Sequence, residues 1–256
     1  WSAIQLVAYD ATSKTPRISG GPDLACVANL SRALNDANLP TIHFVSFGGW
    51  EAPHPNTTFG ADAWWGALET YNARAAAAGL AGGFDGIDWD IEGVNGGAGP
   101  GNTLSVACLK LVTSLSERAK RAGMLVSMAP PQSYLDPSTS DFSLTLKHPA
   151  RCYHPEFTYA GRNGYSALLA LAAPGTYDLV SLQLYETYSL ANCALTAHSE
   201  NPGAYLRGLV EKLGGGWRVD FELEPSLGLP NQTVSVAPSQ LLIGLANGWA
   251  APAGGK

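Results

Sequence analysis

Six short apolar runs punctuate the chain, each nearly continuous: Ile4–Tyr9, Thr41–Phe47, Phe84–Ile91, Met124–Ala129, Tyr177–Tyr185 and Leu241–Ala246. A strand wetted on one face alternates apolar with polar residues. Runs without that alternation mark strands covered on both faces, the condition of a parallel sheet between helices. Stretches of helical periodicity lie between them, at Asp23–Ala37, Ala61–Ala78, Thr103–Arg121, Tyr165–Ala172 and Pro202–Leu213. In Thr103–Arg121 the apolar positions Leu104, Cys108, Leu111, Val112 and Leu115 follow an amphipathic spacing. The alternation predicts an α/β fold of successive βα units, either a (β/α) barrel or an open doubly wound sheet. No GxGxxG follows a strand, which disfavours the dinucleotide-binding sheet and leaves the barrel. Pro130–Ser166 reads as an elaborated loop. Trp217–Val236 alternates in period two about a Gly/Pro turn and reads as an added hairpin. No internal repeat or shift of composition divides residues 1–256, which are taken as one domain.

Composition excludes several classes. With 46% hydrophobic residues the chain can bury a sizeable core. A net charge of −6 and no Lys/Arg run argue against a nucleic-acid partner. No apolar run reaches the roughly 18 residues of a membrane span. The chain opens on Trp1 without a signal-peptide pattern, as a mature or trimmed chain or a fragment would. Sequons at Asn29, Asn56 and Asn231 suggest a secreted, extracellular or wall-associated glycoprotein. Of the four cysteines, none has CxxC spacing, so no zinc site is expected. Cys26 and Cys108 sit on apolar helical faces, as buried free thiols or as a bridge. Cys152 and Cys193 lie in polar, turn-rich segments where a disulfide can tie two loops.

Against this apolar background stands Gly83-Phe84-Asp85-Gly86-Ile87-Asp88-Trp89-Asp90-Ile91-Glu92-Gly93, with four carboxylates in eight residues. Side chains alternate across a strand, so Ile87, Trp89 and Ile91 face the helices while Asp88, Asp90 and Glu92 share the other face. In a barrel that face is the interior, with Glu92 nearest the mouth where barrel enzymes place their chemistry. Buried carboxylates persist only when protonated, hydrogen-bonded or bound to metal. An ion-pair ladder would need Lys or Arg on the neighbouring candidate strands, which have none. A row of i, i+2, i+4 acids spans about 13 Å, too far for one ion. What remains is proton management: a carboxyl whose pKa its neighbours raise, acting as general acid.

The Asp85, Asp88, Asp90, Glu92 spacing is the complete Asp-x-x-Asp-x-Asp-x-Glu signature and resembles glycoside hydrolase family 18, the chitinases and related enzymes. Other segments agree in order. Ser46-Phe47-Gly48-Gly49 looks like the family's Ser-x-Gly-Gly, Met128-Ala129-Pro130 like the end of its fifth strand, Gln183-Leu184-Tyr185 like its Gln-x-Tyr, and Leu242–Leu245 like its seventh strand.

The resemblance implies a (β/α)8 TIM barrel, closest to compact plant-type members, of which this chain carries about six strands. It implies a secreted, retaining, endo-acting hydrolase of β-1,4-linked N-acetylglucosamine polymers, chitin or chito-oligosaccharides, with no cofactor. The substrate's own acetamido carbonyl would be the nucleophile. Glu92 would be the general acid/base, Asp90 would orient the acetamido N–H, Asp88 would share a proton with Asp90, and Tyr185 would donate to the acetamido carbonyl. Gln183, Met128, Trp50 and Trp249 would bind substrate. Ordinary loop packing is the other reading of the two tryptophans, and Trp64 and Trp65 are read as core. Asp85, Gly48 and Gly49 would be structural, and a Cys152–Cys193 disulfide would bridge loops after the fifth and sixth strands. The family's first and eighth strands have no counterpart here, so two open sheet edges are expected, with further domains or chains covering them. The alternatives are a non-catalytic lectin or structural extracellular glycoprotein, and an endoglycosidase acting on the chitobiose core of N-glycans.

Overall fold

The computed structural model describes residues 3–10, 15–49, 52–92, 104–144, 162–185 and 190–245. The chain opens with β1 (Ala3–Asp10) and β2 (Thr15–Gly20), followed by α1 (Leu24–Asp36), β3 (Phe44–Gly49) and α2 (Ala61–Ala77). The strand β4 (Gly86–Ile91) carries the acids and leads to α3 (Val106–Arg121), β5 (Leu125–Met128) and α4 (Gly164–Leu171). After β6 (Leu179–Gln183) come α5 (Leu190–Thr196), α6 (Pro202–Gly215), the short pair β7 (Trp217–Val219) and β8 (Gln232–Val234), and β9 (Leu241–Gly244).

The main sheet runs in the order β2-β1-β3-β4-β5-β6-β9, and every pair except β2–β1 is parallel. The parallel strands never reverse order, unlike those of a doubly wound sheet, and βα units repeat along them. This is an α/β arc of six parallel strands flanked by helices, the wall of a partial (β/α) barrel.

Local chemistry sets the helix limits. Asp23 caps α1 by accepting from the backbone N–H groups of Ala25 and Cys26, Ser105 caps α3 through Cys108 N–H, and Asn201 caps α6 with Pro202 at its first turn. The last turn of α3 carries Arg118, Lys120 and Arg121 against its negative end. Its inner face buries Cys108, Leu109, Leu111, Val112 and Leu115 against the sheet, and Trp64 and Trp65 of α2 are likewise core.

Register sorts each strand into two faces. Ser46, Asp88 and Ser127 are lateral neighbours on one face; Phe47, Trp89 and Met128 are lateral neighbours on the other. Trp89 donates its indole N–H to Ser116 Oγ of α3 at 2.8 Å, so its face is the helix side and the acids line the interior.

Four expectations need correction. The segment Thr15–Gly20 is a strand, antiparallel to β1, so β1 is not an open edge. Its Pro16 and Arg17 conceal it from a search for apolar runs, and proline is tolerated there because β2 is itself the edge among the described residues. The helix α5 was not anticipated. The hairpin within Trp217–Val236 is present as β7 and β8, but two 3₁₀ turns, Phe221–Leu223 and Pro225–Leu227, stand between its strands. Cys26 is an exposed free thiol on α1 and not a core residue, whereas Cys108 is buried and free. At the far edge β9 has only β6 beside it among the described residues, and Leu242, in register with Ser181, is 46% exposed.

Candidate active site

Asp88 lies at the bottom of the acidic row and is fully buried. Its two strand neighbours hold both of its oxygens: Ser46 Oγ donates to Oδ2 at 2.7 Å and Ser127 Oγ donates to Oδ1. Both hydroxyls sit at the positions that register places opposite Asp88. Burial raises the Asp88 pKa, and the two hydroxyl bonds offset part of that rise.

One layer up, Asp90 is partly buried and opposes Gly48. Gly48 has φ +117°, and a Cβ built there would fall 1.9 Å from the Asp90 carbonyl oxygen. The glycine is therefore required by two backbones in close approach. Gly49 follows with φ +103° and turns the chain off the strand.

Gln183, at the end of β6, joins the upper carboxylates. Its Nε2 donates to Asp90 Oδ1 at 2.8 Å, to Glu92 Oε1 at 2.9 Å and to the Ala129 carbonyl at 2.6 Å. Two N–H hydrogens thus serve three acceptors, drawing Asp90 and Glu92 toward one point. Glu92 and Gln183 are each only 4% exposed. The Asp90 pKa stands well above the ordinary range, first because the group is desolvated, then because Glu92 adds like charge and a hydrogen bond, and then because of Asp88's charge. A hydrogen bond joins Asp90 to Glu92, while both Asp88 oxygens accept from serines.

Tyr165, at the start of α4, was missed by sequence reasoning. Its hydroxyl accepts the Ile91 N–H at 2.5 Å and donates toward the Trp89 carbonyl at 3.3 Å. The pairing of β4 with β5 ends at Trp89–Met128, so the phenol replaces the ladder just where Asp90 and Glu92 flank Ile91. Burial first, and then the charge of Asp90, raise its pKa far enough to keep it protonated. A tyrosine in a helix carries no sequence signal for such a task.

Asp85 lies at the other end of the strand, where it accepts from His43 N–H at 2.8 Å and ties β4 to the start of β3. Tyr185 follows Gln183 at the mouth, partly buried, with its ring beside Gly244. Met128 does not join the carboxylates: it is buried in register with Trp89, on the helix side. Trp50, Trp249 and Cys152 lie outside the described residues. Cys193 is buried. Among the sequons, Asn56 is exposed in a turn closed by Thr58, Asn29 lies within α1, and both amide atoms of Asn231 bond to Glu222. No grouping of His, Cys, Asp or Glu among the described residues suits a metal ion, and no described helix is long and apolar enough to cross a membrane.

The raised Asp90 pKa has a consequence for stability. The unfolded chain loses this proton near pH 4, while the folded chain keeps it to higher pH. The contribution of Asp90 is therefore complete below about pH 4 and is lost as pH rises through the folded value. The Tm of Asp90→Asn relative to wild type should rise with pH above about 4. A difference independent of pH across thermal melts in matched buffers would refute the assignment.

No protein-family model matches the sequence, and no curated protein matches it. Among solved structures, a family 18 chitinase from Crocus vernus is similar at 13% identity and TM-score 0.46, over 82% of this chain and 63% of that one. A Group IV chitinase from Ostrinia furnacalis is similar at 14% identity and TM-score 0.33, over 71% of this chain and 56% of that one. Its complex with allosamidin is similar at 15% identity and TM-score 0.33, over 63% and 50%. The chain spans less than two thirds of the length of each. Likeness at this level concerns the course of the backbone and not chemistry.

Proposed function

We propose that the chain is a secreted, retaining, endo-acting glycosidase that hydrolyses β-1,4-linked N-acetylglucosamine polymers with the help of the substrate's acetamido group. The observation that carries the proposal is the Asp90–Glu92 pair, gathered by the Gln183 amide above a serine-clamped Asp88. A buried carboxyl pair holds a proton at a pH where a free carboxylate has none, which is what protonating a glycosidic oxygen requires. Glu92, at the open end of the row, delivers that proton and later takes one from water. Asp90, left ionised once the pair's proton has passed through Glu92 to the leaving oxygen, accepts the acetamido N–H and turns the carbonyl toward the anomeric carbon. Tyr185 donates to that carbonyl, and Asp88, held by its two serines, supports the pair from beneath.

The test is turnover of a soluble N-acetylglucosamine tetramer from about pH 4 to about pH 8, followed by NMR at the anomeric proton. The β-anomer should appear first, because double displacement retains configuration. Appearance of the α-anomer first would overturn the acetamido route. Binding without hydrolysis, by chitin oligomers and a high-mannose glycoprotein alike, would make the protein a lectin.

The secretory setting belongs to the same proposal. Non-reducing peptide mapping should find Cys152 joined to Cys193, and a glycan on Asn56, whose side chain is exposed, but not on Asn231, held by Glu222. A free thiol at either cysteine would refute the pairing.

A further inference from the structure

The ladder between β4 and β5 stops for a covalent reason. Bonds of a parallel pair repeat every second residue, and the last of this series runs from the Ala129 N–H to the Trp89 carbonyl at 2.8 Å. The same register next calls for the Ile91 N–H on the Ala129 carbonyl, and then for a donor at residue 131 on the Ile91 carbonyl. Residue 131 is proline and has no N–H, so the ladder cannot run on. The two groups it would have joined take other partners. The Ile91 N–H goes to the Tyr165 hydroxyl at 2.5 Å, and the Ala129 carbonyl accepts Gln183 Nε2 at 2.6 Å. That is the shortest of the three bonds of this amide, those to Asp90 Oδ1 and Glu92 Oε1 being 2.8 and 2.9 Å. Tyr165 is held firmly for its part. It is 1% exposed, and its ring stacks on Tyr134 with centroids 5.9 Å apart and planes 13° from parallel. Two residues earlier, Asn163 ties the start of α4 to the segment after β5 by bonding the Asp136 N–H at 2.8 Å and the Asp141 carbonyl at 2.9 Å.

We infer that Tyr165 is a positioning residue for the acid pair: by taking the Ile91 N–H it leaves the Ala129 carbonyl to Gln183, and the amide so anchored fixes where Asp90 and Glu92 stand. Without the hydroxyl a buried N–H is left unmatched, and the acceptor in line with it is the Ala129 carbonyl. Gln183 then loses its anchor or shares it. Tyr165 thus acts through Gln183 and not on the reacting atoms. The effect on turnover rests on the glycosidase reading, whereas the exchange of hydrogen bonds does not.

Heteronuclear NMR of the full chain, paired with kinetics, tests it. Tyr165→Phe keeps the ring and its stacking on Tyr134 and removes only the hydroxyl. Hydrogen exchange of the Gln183 side-chain amide should then speed up by about tenfold, the equivalent of one ordinary hydrogen bond. Ser166→Ala is the control: it removes the neighbouring hydroxyl of the same helical turn, bonded to Asn163 Oδ1 at 3.2 Å, and should leave the Gln183 amide as in wild type. With the N-acetylglucosamine tetramer, kcat of Tyr165→Phe should fall by about tenfold to a hundredfold with KM within a few-fold, while Ser166→Ala keeps the wild-type kcat. Unchanged Gln183 exchange in Tyr165→Phe, an equal acceleration in Ser166→Ala, or faster exchange with kcat untouched would each overturn the inference. So would the lack, in wild type, of a nuclear Overhauser contact between the Ile91 amide proton and the Tyr165 ring, a measurement that needs no variant. A wild type that hydrolyses nothing would end the glycosidase reading, and the exchange comparison would still decide the hydrogen-bond swap.

Discussion

Glu92→Gln is expected to lower turnover of the N-acetylglucosamine tetramer by about 10²–10⁴-fold, the usual contribution of a positioned general acid. The amide keeps the shape of the carboxyl and its oxygen still accepts from Gln183 Nε2, so the site geometry is retained. What disappears is the transferable proton. Oligosaccharide affinity should therefore stay within a few-fold of wild type while kcat falls, the pattern of an interaction used only in the transition state. Removing one of two apposed carboxylates also relieves the like charge that raises Asp90, so the variant should melt no lower than wild type at neutral pH. Equal kcat in the two proteins would remove Glu92 from the acid role, and joint loss of kcat and binding would make it a structural residue.

Gly48→Ala should produce the largest loss of stability of any single methyl addition in the arc, about 3–5 kcal/mol. Two costs combine. The backbone at Gly48 sits at φ +117°, a region that L-residues rarely adopt, and the new Cβ would lie 1.9 Å from the Asp90 carbonyl oxygen. Relief requires β3 and β4 to separate where Asp90 is positioned, so activity should fall together with Tm. The control is Gly123→Ala. There φ is also positive, at +85°, but nothing lies within 4 Å of the built Cβ, so only the backbone penalty applies. If the two variants lose equal stability by chemical denaturation, the close approach to Asp90 is not what requires the glycine.

The legible part of this protein was its one-dimensional pattern. Continuous apolar runs marked the six parallel strands because a sheet covered on both faces has no polar positions to spare, and β4 showed its acids because they interrupt that rule in period two. The alternation also sorted Asp88, Asp90 and Glu92 onto one face and Trp89 onto the other, since strand geometry leaves no alternative. The edge strand β2 escaped because an edge tolerates Pro16 and Arg17, the residues that a search for buried strands rejects. The partners of the acids escaped for a different reason. That Ser46 and Ser127 would both meet Asp88, that Tyr165 would take the Ile91 N–H, and that Gln183 would draw Asp90 toward Glu92 depends on register between strands far apart in sequence. So does the turning of Met128 to the helix side. The chain by itself determined which groups carry charge and on which face of their strand they stand. Only the tertiary structure decided which partners each acid meets, because a hydrogen bond is settled by separations of tenths of an ångström that local sequence does not encode.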